Sequence, residues 1–518
     1  MDCMRGTERG SATWGCIVAG LTALTMGAGC AGRPSFPEPI STHQENAFTV
    51  YAFDVNRDKK PDFWQYQATD GRKRAIAYAE QAGLPLRRIE LGECDPSECP
   101  HFVIALDGVP FEIVEELYHE GRFRYFTPPA RVICCYPAMT DLALTDLFHT
   151  GKCIAFESRY FDRETDRMSK GNEVYLSGLN SPWTKRMLYR CSVWWDALAY
   201  LKPQAVFDHE MRGMWKAFAG VKEGRACGYS VGTAGLGTRG GRDAIRAYLR
   251  EIDEFCERLV YERRGRVNIT LTADHGHNLV ENRRVSFEET LEHCGYRRTE
   301  SLTDERDVVD VEYGLVTYAA LFTDDPAGVA ACLLDHSDVE FACYRDGQDA
   351  IVRSIEGDGR IQKVADGYRY VCAGADPLRI GAILNELKNE GHISPEGVID
   401  EQALFEATIE HEYPDPLARV WRALFDLVEE PPDVIVNLRD GACHGSRFFE
   451  AMIGRASSTH GSLNRVNSTT FVMTTLGELP PALRSSDVLP SLRRFFRPTR
   501  NLLDEKTGDG VDGYASTP

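Results

Sequence analysis

From about residue 100 the chain alternates short, strongly apolar runs with stretches whose apolar positions recur at helical spacing. HFVIAL (101–106), NITLTA (268–273), PDVIVNL (432–438) and TFVMT (470–474) are short enough and apolar enough to read as buried strands. FEIVEELY (111–118) has the helical period, and the clearest helix covers 242–260, with Ile245, Leu249, Ile252 and Leu259 on one face. Strand and helix in alternation predict an α/β domain with a mostly parallel sheet. Between about 320 and 425 the pattern changes. Residues 339–353 and 360–372 each turn at Asp-Gly, which predicts a small inserted antiparallel sheet, and helical stretches follow at 403–410 and 417–428. Residues 63–78 read as strand, Thr-Asp-Gly turn and strand, a hairpin module outside the main sheet.

Length and composition narrow the class. The 518 residues are 43% apolar and 26% charged, enough to bury a large core. A formal net charge of -19 disfavours binding to a nucleic-acid duplex, which demands a positive footprint. Residues 1–30 have the pattern of an export signal: Arg5 and Arg9 precede an apolar stretch too short to span a membrane, and Cys30 follows Gly-Ala-Gly as the lipidated cysteine of a bacterial lipoprotein would. The expected location is therefore the cell envelope, with a lipid anchor at Cys30; the alternatives are simple secretion and a retained apolar anchor. Residues 31–47 read as a Pro/Ser-rich tether, 48–80 as the hairpin module, 95–480 as the main domain and 481–518 as a tail. Of 16 cysteines, Cys3, Cys16 and Cys30 fall in the leader. Cys94 and Cys99 are spaced for a local disulfide, whereas Cys227, Cys256 and Cys372 sit in apolar contexts as small core residues.

The candidate chemistry lies where apolar runs end. Asp107-Gly108 closes one run and Asp274-His275-Gly276 another, so each delivers a carboxylate to the carboxyl end of a strand, and the second adds an imidazole suited to a borderline metal such as zinc. YPAMT (136–140) presents the Thr140 hydroxyl on a turn before a helix, and STHGS (458–462) puts His460 on a loop before a strand. In the hairpin module, Asp54, Asn56, Asp58 and Asp62 occupy positions one, three, five and nine of a calcium-loop spacing, with Lys59 where the turn glycine belongs and Gln65 where the bidentate acid belongs. The alternative for that stretch is a solvated acidic turn.

The order Asp107, Thr140, Asp274-His275, His460 resembles the alkaline phosphatase superfamily, most closely its type I phosphodiesterase and nucleotide pyrophosphatase branch, over roughly residues 100–475. The resemblance implies an alkaline-phosphatase-like three-layer α/β domain. It also implies a threonine nucleophile at Thr140, one metal on Asp107, Thr140, Asp274 and His275, and a second metal to which His460 belongs. The same resemblance expects an aspartate and a histidine where this chain has Ala234 and Thr238, so two ligands of the second metal are replaced. His209, His277 and His444 are candidate substitutes, each with an ordinary structural role as the alternative. The function this implies is a metal-dependent phosphodiester or phosphomonoester hydrolase of reduced rate, acting on a small phosphorylated substrate. The alternative is an inactive relative that binds a phosphorylated or sulfated ligand.

Overall fold

The computed structural model describes residues 36–79, 87–91, 98–169 and 181–496. The export signal, Cys30 and Cys94 lie outside them. Among the described residues no helix is long and apolar enough to cross a membrane.

The organising element is a seven-stranded sheet. Its order across the sheet is Met187–Tyr189, Arg225–Ser230, His101–Leu106, Asn268–Ala273, Thr469–Thr474, Ala130–Ile133 and Ala482–Arg484. Neighbours run parallel except around Thr469–Thr474, which pairs antiparallel on both sides. The expected mostly parallel α/β sheet is thus the one formed. The last strand falls in the stretch read as a tail.

The three central strands, His101–Leu106, Asn268–Ala273 and Thr469–Thr474, are buried on both faces, which is why they read as apolar runs. Phe102, Ile104, Ile269 and Leu271 point one way and pack against the helices Phe111–His119, Pro203–Ala219 and Gly232–Glu262. Phe102 stacks on Phe218 at 4.3 Å. Tyr229 points the other way, against Trp183, whose indole N–H donates to Asp141 at 2.8 Å. Asp141 lies on the helix Thr140–Phe148, so a helical layer covers each face. The helix expected over 242–260 is the second part of Gly232–Glu262, where Gly241, at φ 57°, breaks the path.

The inserted sheet is larger than its local pattern suggests. It has nine strands, eight of them between Arg297 and Asp400, and the ninth, Val434–Leu438, expected in the main sheet, instead pairs between Tyr318–Thr323 and Val339–Asp346. Both Asp-Gly hairpins form as read, at Val339–Asp346 with Asp349–Arg353 and at Gly357–Val364 with Gly367–Gly374. A disulfide joins Cys294 to Cys332, a pairing that spacing did not suggest. Cys227 and Cys256 are buried as expected, but Cys372 is exposed on its strand.

The N-terminal module is a five-stranded antiparallel meander from Ser41 to Glu90 rather than a single hairpin. It starts inside the stretch read as a tether. Phe36 is already buried, edge-on to Phe53 and Phe63, and Phe63 meets Tyr261 of the long helix at 5.0 Å. Lys73 is fully enclosed at this junction, ion-paired with Glu257 and lying over the Tyr125 ring. Burial lowers its ammonium to about 8, against the pull of Glu257 and Asp253.

In the loop after Phe48–Phe53, Asp54 accepts from the amides of Asp58 at 3.0 Å and Lys59 at 2.8 Å, while Asp62 accepts from Val55 and Asn56. Lys59 sits at φ 68°, the left-handed conformation that a calcium loop gives to its turn glycine. Gln65 is buried on the next strand.

Candidate metal and phosphoryl-transfer site

Four of the expected residues converge at the carboxyl ends of the central strands. Asp107 follows His101–Leu106, and Asp274 with His275 follows the parallel neighbour Asn268–Ala273 in matched register, so the two carboxylates arrive side by side. Thr140 is the first residue of its helix, where exposed amides create positive potential. Its hydroxyl lies 3.4 Å from Asp107 Oδ2 and 3.3 Å from His275 Nε2. His275 Nε2 is 3.4 Å from Asp274 Oδ2 and 3.9 Å from Asp107 Oδ1. Asp107, Asp274 and His275 form one cluster able to hold a cation.

The surrounding bonds hold these side chains without saturating them. Tyr229 O–H donates to Asp107 Oδ2, and Thr233 accepts from the Asp107 amide at 2.8 Å. Asp274 Oδ1 accepts from the amides of Gly108 at 2.9 Å and His275 at 2.8 Å. Asp107 Oδ1 and Asp274 Oδ2 remain buried with no hydrogen-bond partner. Burial, and then the charge of Asp274, pushes the Asp107 carboxyl well above its usual range, and burial lifts Asp274 to about 6. Two adjacent desolvated carboxylates with unpaired oxygens are what a cation would satisfy, so the residues fit a divalent metal.

A second cluster adjoins the first. His460 comes from the loop before Thr469–Thr474, and its ring stacks on His275 at 3.8 Å between centroids. His277, two residues after His275, lies 5.3 Å from the His460 ring, and the potential ligand atoms of His275, His277 and His460 all fall within 4.8 Å of one another. Burial lowers His275 to about 4 and His460 to about 3, and holds His277 well below its ordinary value. All three are thus neutral at physiological pH, the form that binds metal.

Ala234 and Thr238 lie in the first turns of Gly232–Glu262, both buried. His277 packs beside this turn of the helix, its Cε1 3.6 Å from where a Cβ on Gly237 would be. Of the three candidate substitutes, only His277 reaches the site. His209 stacks on Trp195 at 4.1 Å, and His444 is bound at 2.8 Å to Asp310 in a separate network. Asp310, Glu312 and His444 could themselves be read as a cation cluster, but Arg284 and Arg298 already neutralise Glu312. Sequence reasoning missed Tyr229, Thr233 and Ser458 as supports. Their only signal is proximity to the motifs they serve.

No protein-family model and no curated protein matches the sequence. Among solved structures, human ectonucleotide pyrophosphatase/phosphodiesterase 5 is similar at 11% identity, covering 76% of this chain and 93% of that one with a TM-score of 0.42. Its murine counterpart gives 11%, 76%, 94% and 0.41. Phosphonoacetate hydrolase from Sinorhizobium meliloti 1021, in complex with phosphonoformate, gives 10%, 78%, 95% and 0.42. The fold class is the expected one, α/β with a mostly parallel central sheet.

Proposed function

We propose that this protein is a metal-dependent phosphoric ester hydrolase in which Thr140 takes the phosphoryl group. The observation that carries the reading is the convergence of Asp107, Thr140, Asp274 and His275, with two buried carboxylate oxygens left unpaired beside the hydroxyl. A divalent cation, zinc by the mixed donor set, would be held by Asp107, Asp274 and His275 and would lower the pKa of the threonine hydroxyl. Thr140 Oγ1 would then attack phosphorus as its proton passes to solvent, the bond to the leaving group breaks and that group departs, and water later cleaves the new threonine–phosphorus bond, releasing phosphate from a monoester substrate or a phosphate monoester from a diester. The N-terminus of the Thr140 helix favours the negative charge that develops there. Because Ala234 cannot ligate and the Thr238 hydroxyl is a poor substitute for imidazole, the second cation is held less firmly than the first, release is expected to be slower than attack, and turnover should show a burst.

The substrate class is a small phosphorylated molecule. With Ala234 unable to ligate and the Thr238 hydroxyl a poor substitute for imidazole, the second reading is a protein that binds such a ligand without turning it over. Bis(p-nitrophenyl) phosphate separates the two. Hydrolysis that a chelator stops and zinc restores supports the enzyme, while ligand binding with no hydrolysis at any metal loading supports the binder.

We further propose that residues 1–30 direct export, with a lipid on Cys30, and that calcium binds at Asp54, Asn56, Asp58 and Asp62. Millimolar calcium should then raise the melting temperature, by an increment that grows with the logarithm of its concentration and vanishes in Asp58→Ala. Melting indifferent to calcium leaves the acidic-turn reading.

A further inference from the structure

We propose that a second cation site has been rebuilt here on imidazoles, with His277 as a ligand oriented by Ser458, and that it admits zinc-class ions but not magnesium. The inference rests on reading Asp107, Asp274 and His275 as the first cation site. Three observations carry it.

First, each histidine of the cluster has its Nδ1 tied to an oxygen: His275 to the carbonyl of Gly276 at 2.9 Å, His460 to the carbonyl of Ala138 at 2.7 Å, and His277 to Ser458 Oγ at 3.0 Å. The carbonyl partners make Nδ1 the protonated nitrogen of His275 and His460 and leave Nε2 as the ligand atom, while Ser458 fixes the orientation of the His277 ring and, by accepting from its Nδ1–H, would leave its Nε2 free in the same way. Secondly, His277 Nε2 is fully buried and has no partner. A desolvated ring nitrogen without a hydrogen bond is costly in a purely structural histidine. Thirdly, the backbone makes room for it. A Cβ on Gly108 would lie 2.3 Å from His277 Nε2, and Gly108 itself adopts φ 67°. Ser458 serves both partners of the arrangement, since its hydroxyl also accepts from the Leu279 amide at 3.0 Å, tying the His460 loop to the chain just after His277.

The donor chemistry sets the ion. The single free nitrogen of His275, Nε2, faces the first site, so the donors left to the second are the neutral imidazoles of His277 and His460, and among the described residues the unpaired carboxylate oxygens beside them, Asp107 Oδ1 and Asp274 Oδ2, also belong to the first site. Magnesium and calcium need oxygen ligands, whereas imidazole suits zinc and its transition-metal neighbours. The first site sets two carboxylates and a hydroxyl beside the one imidazole of His275, so oxygen donors predominate there and magnesium can enter it too.

The test is calorimetric titration of the metal-free full-length protein with zinc and, separately, with magnesium, backed by elemental analysis and the visible spectrum of the cobalt form. A protein with the four calcium-loop residues replaced by alanine should take two zinc ions but one magnesium ion, so that every ion counted belongs to this centre. His277→Ala should lose one zinc and keep the other. Ser458→Ala, which keeps every ligand, should weaken the second zinc by about 10- to 100-fold without touching the first, and Ser458→Thr should recover most of that loss. Should His277→Ala prove unable to fold, the Ser458 pair still decides. Two zinc ions of unchanged affinity in both His277→Ala and Ser458→Ala, or a single zinc in wild type, would overturn the proposal. Asp107→Asn with Asp274→Asn tests the first site separately. If that pair leaves zinc stoichiometry intact, the reading of the first site fails, whatever the outcome for His277.

Discussion

Thr140→Ala should lower kcat for a phosphodiester by at least about a thousandfold while leaving the fold and the bound metal in place. The side chain is only half-buried, it stands at a helix start, and its hydroxyl contacts Asp107 and His275 rather than any core group, so its loss removes chemistry and little packing. Thr145 is the internal comparison. It is buried five residues on, with its hydroxyl 3.3 Å from Cys153 Sγ. Thr145→Ala should cost about 1 kcal/mol of stability and keep the rate. The reverse pattern, activity lost at Thr145 and kept at Thr140, would move the nucleophile elsewhere.

The largest effect on stability should come from a site with no part in the chemistry. His444 and Asp310 form a pair at 2.8 Å with both side chains only 1% exposed, and the imidazole stacks on Phe287. Burial lowers the His444 value, but Asp310 more than offsets it and leaves the imidazole above its ordinary range; the same pairing holds the Asp310 carboxyl below its own. His444→Ala strands a buried carboxylate whose remaining cation, Arg298, is 3.5 Å away, and should destabilise the protein by about 3 to 5 kcal/mol in urea unfolding. The pH dependence follows from the two directions. The His444 contribution is complete below its unfolded value and is lost as pH rises through the raised folded value. The Asp310 contribution is present above the ordinary carboxylate value and is lost as pH falls through the depressed one. The difference between wild type and His444→Ala should therefore be widest in mildly acidic solution and narrow as the pH is raised. A constant difference from pH 5 to 9 would mean that the lost packing against Phe287 outweighs the charge pair.

The strand ends were legible because their signal is local. A buried parallel strand must be apolar on both faces, and where such a run stops at an acid followed by glycine, as at Asp107 and Asp274, the carboxylate is delivered to the sheet's carboxyl edge. Thr140 and His460 were legible in the same way, as polar side chains on turns next to strands. What was not legible depends on distant partners. Val434–Leu438 looks like any buried strand, and its place in the inserted sheet is decided by Tyr318–Thr323 and Val339–Asp346, roughly a hundred residues earlier. Phe36 looks like part of a tether until Phe53, Phe63 and Tyr261 surround it. His277 illustrates the limit best. Its sequence neighbourhood cannot say whether it is a ligand or a satisfied core histidine, because the answer is set by Ser458, 181 positions away, and by the missing Cβ of Gly108.

The central claim is that Thr140 carries the phosphoryl group, and acid quenching followed by peptide mass spectrometry tests it most directly. Zinc-loaded protein mixed with bis(p-nitrophenyl) phosphate and quenched within the first turnover should carry the phosphoryl adduct on Thr140, with no adduct in Thr140→Ala. Turnover of the same substrate with no adduct on any residue, or with the adduct on a residue other than Thr140, would contradict the account.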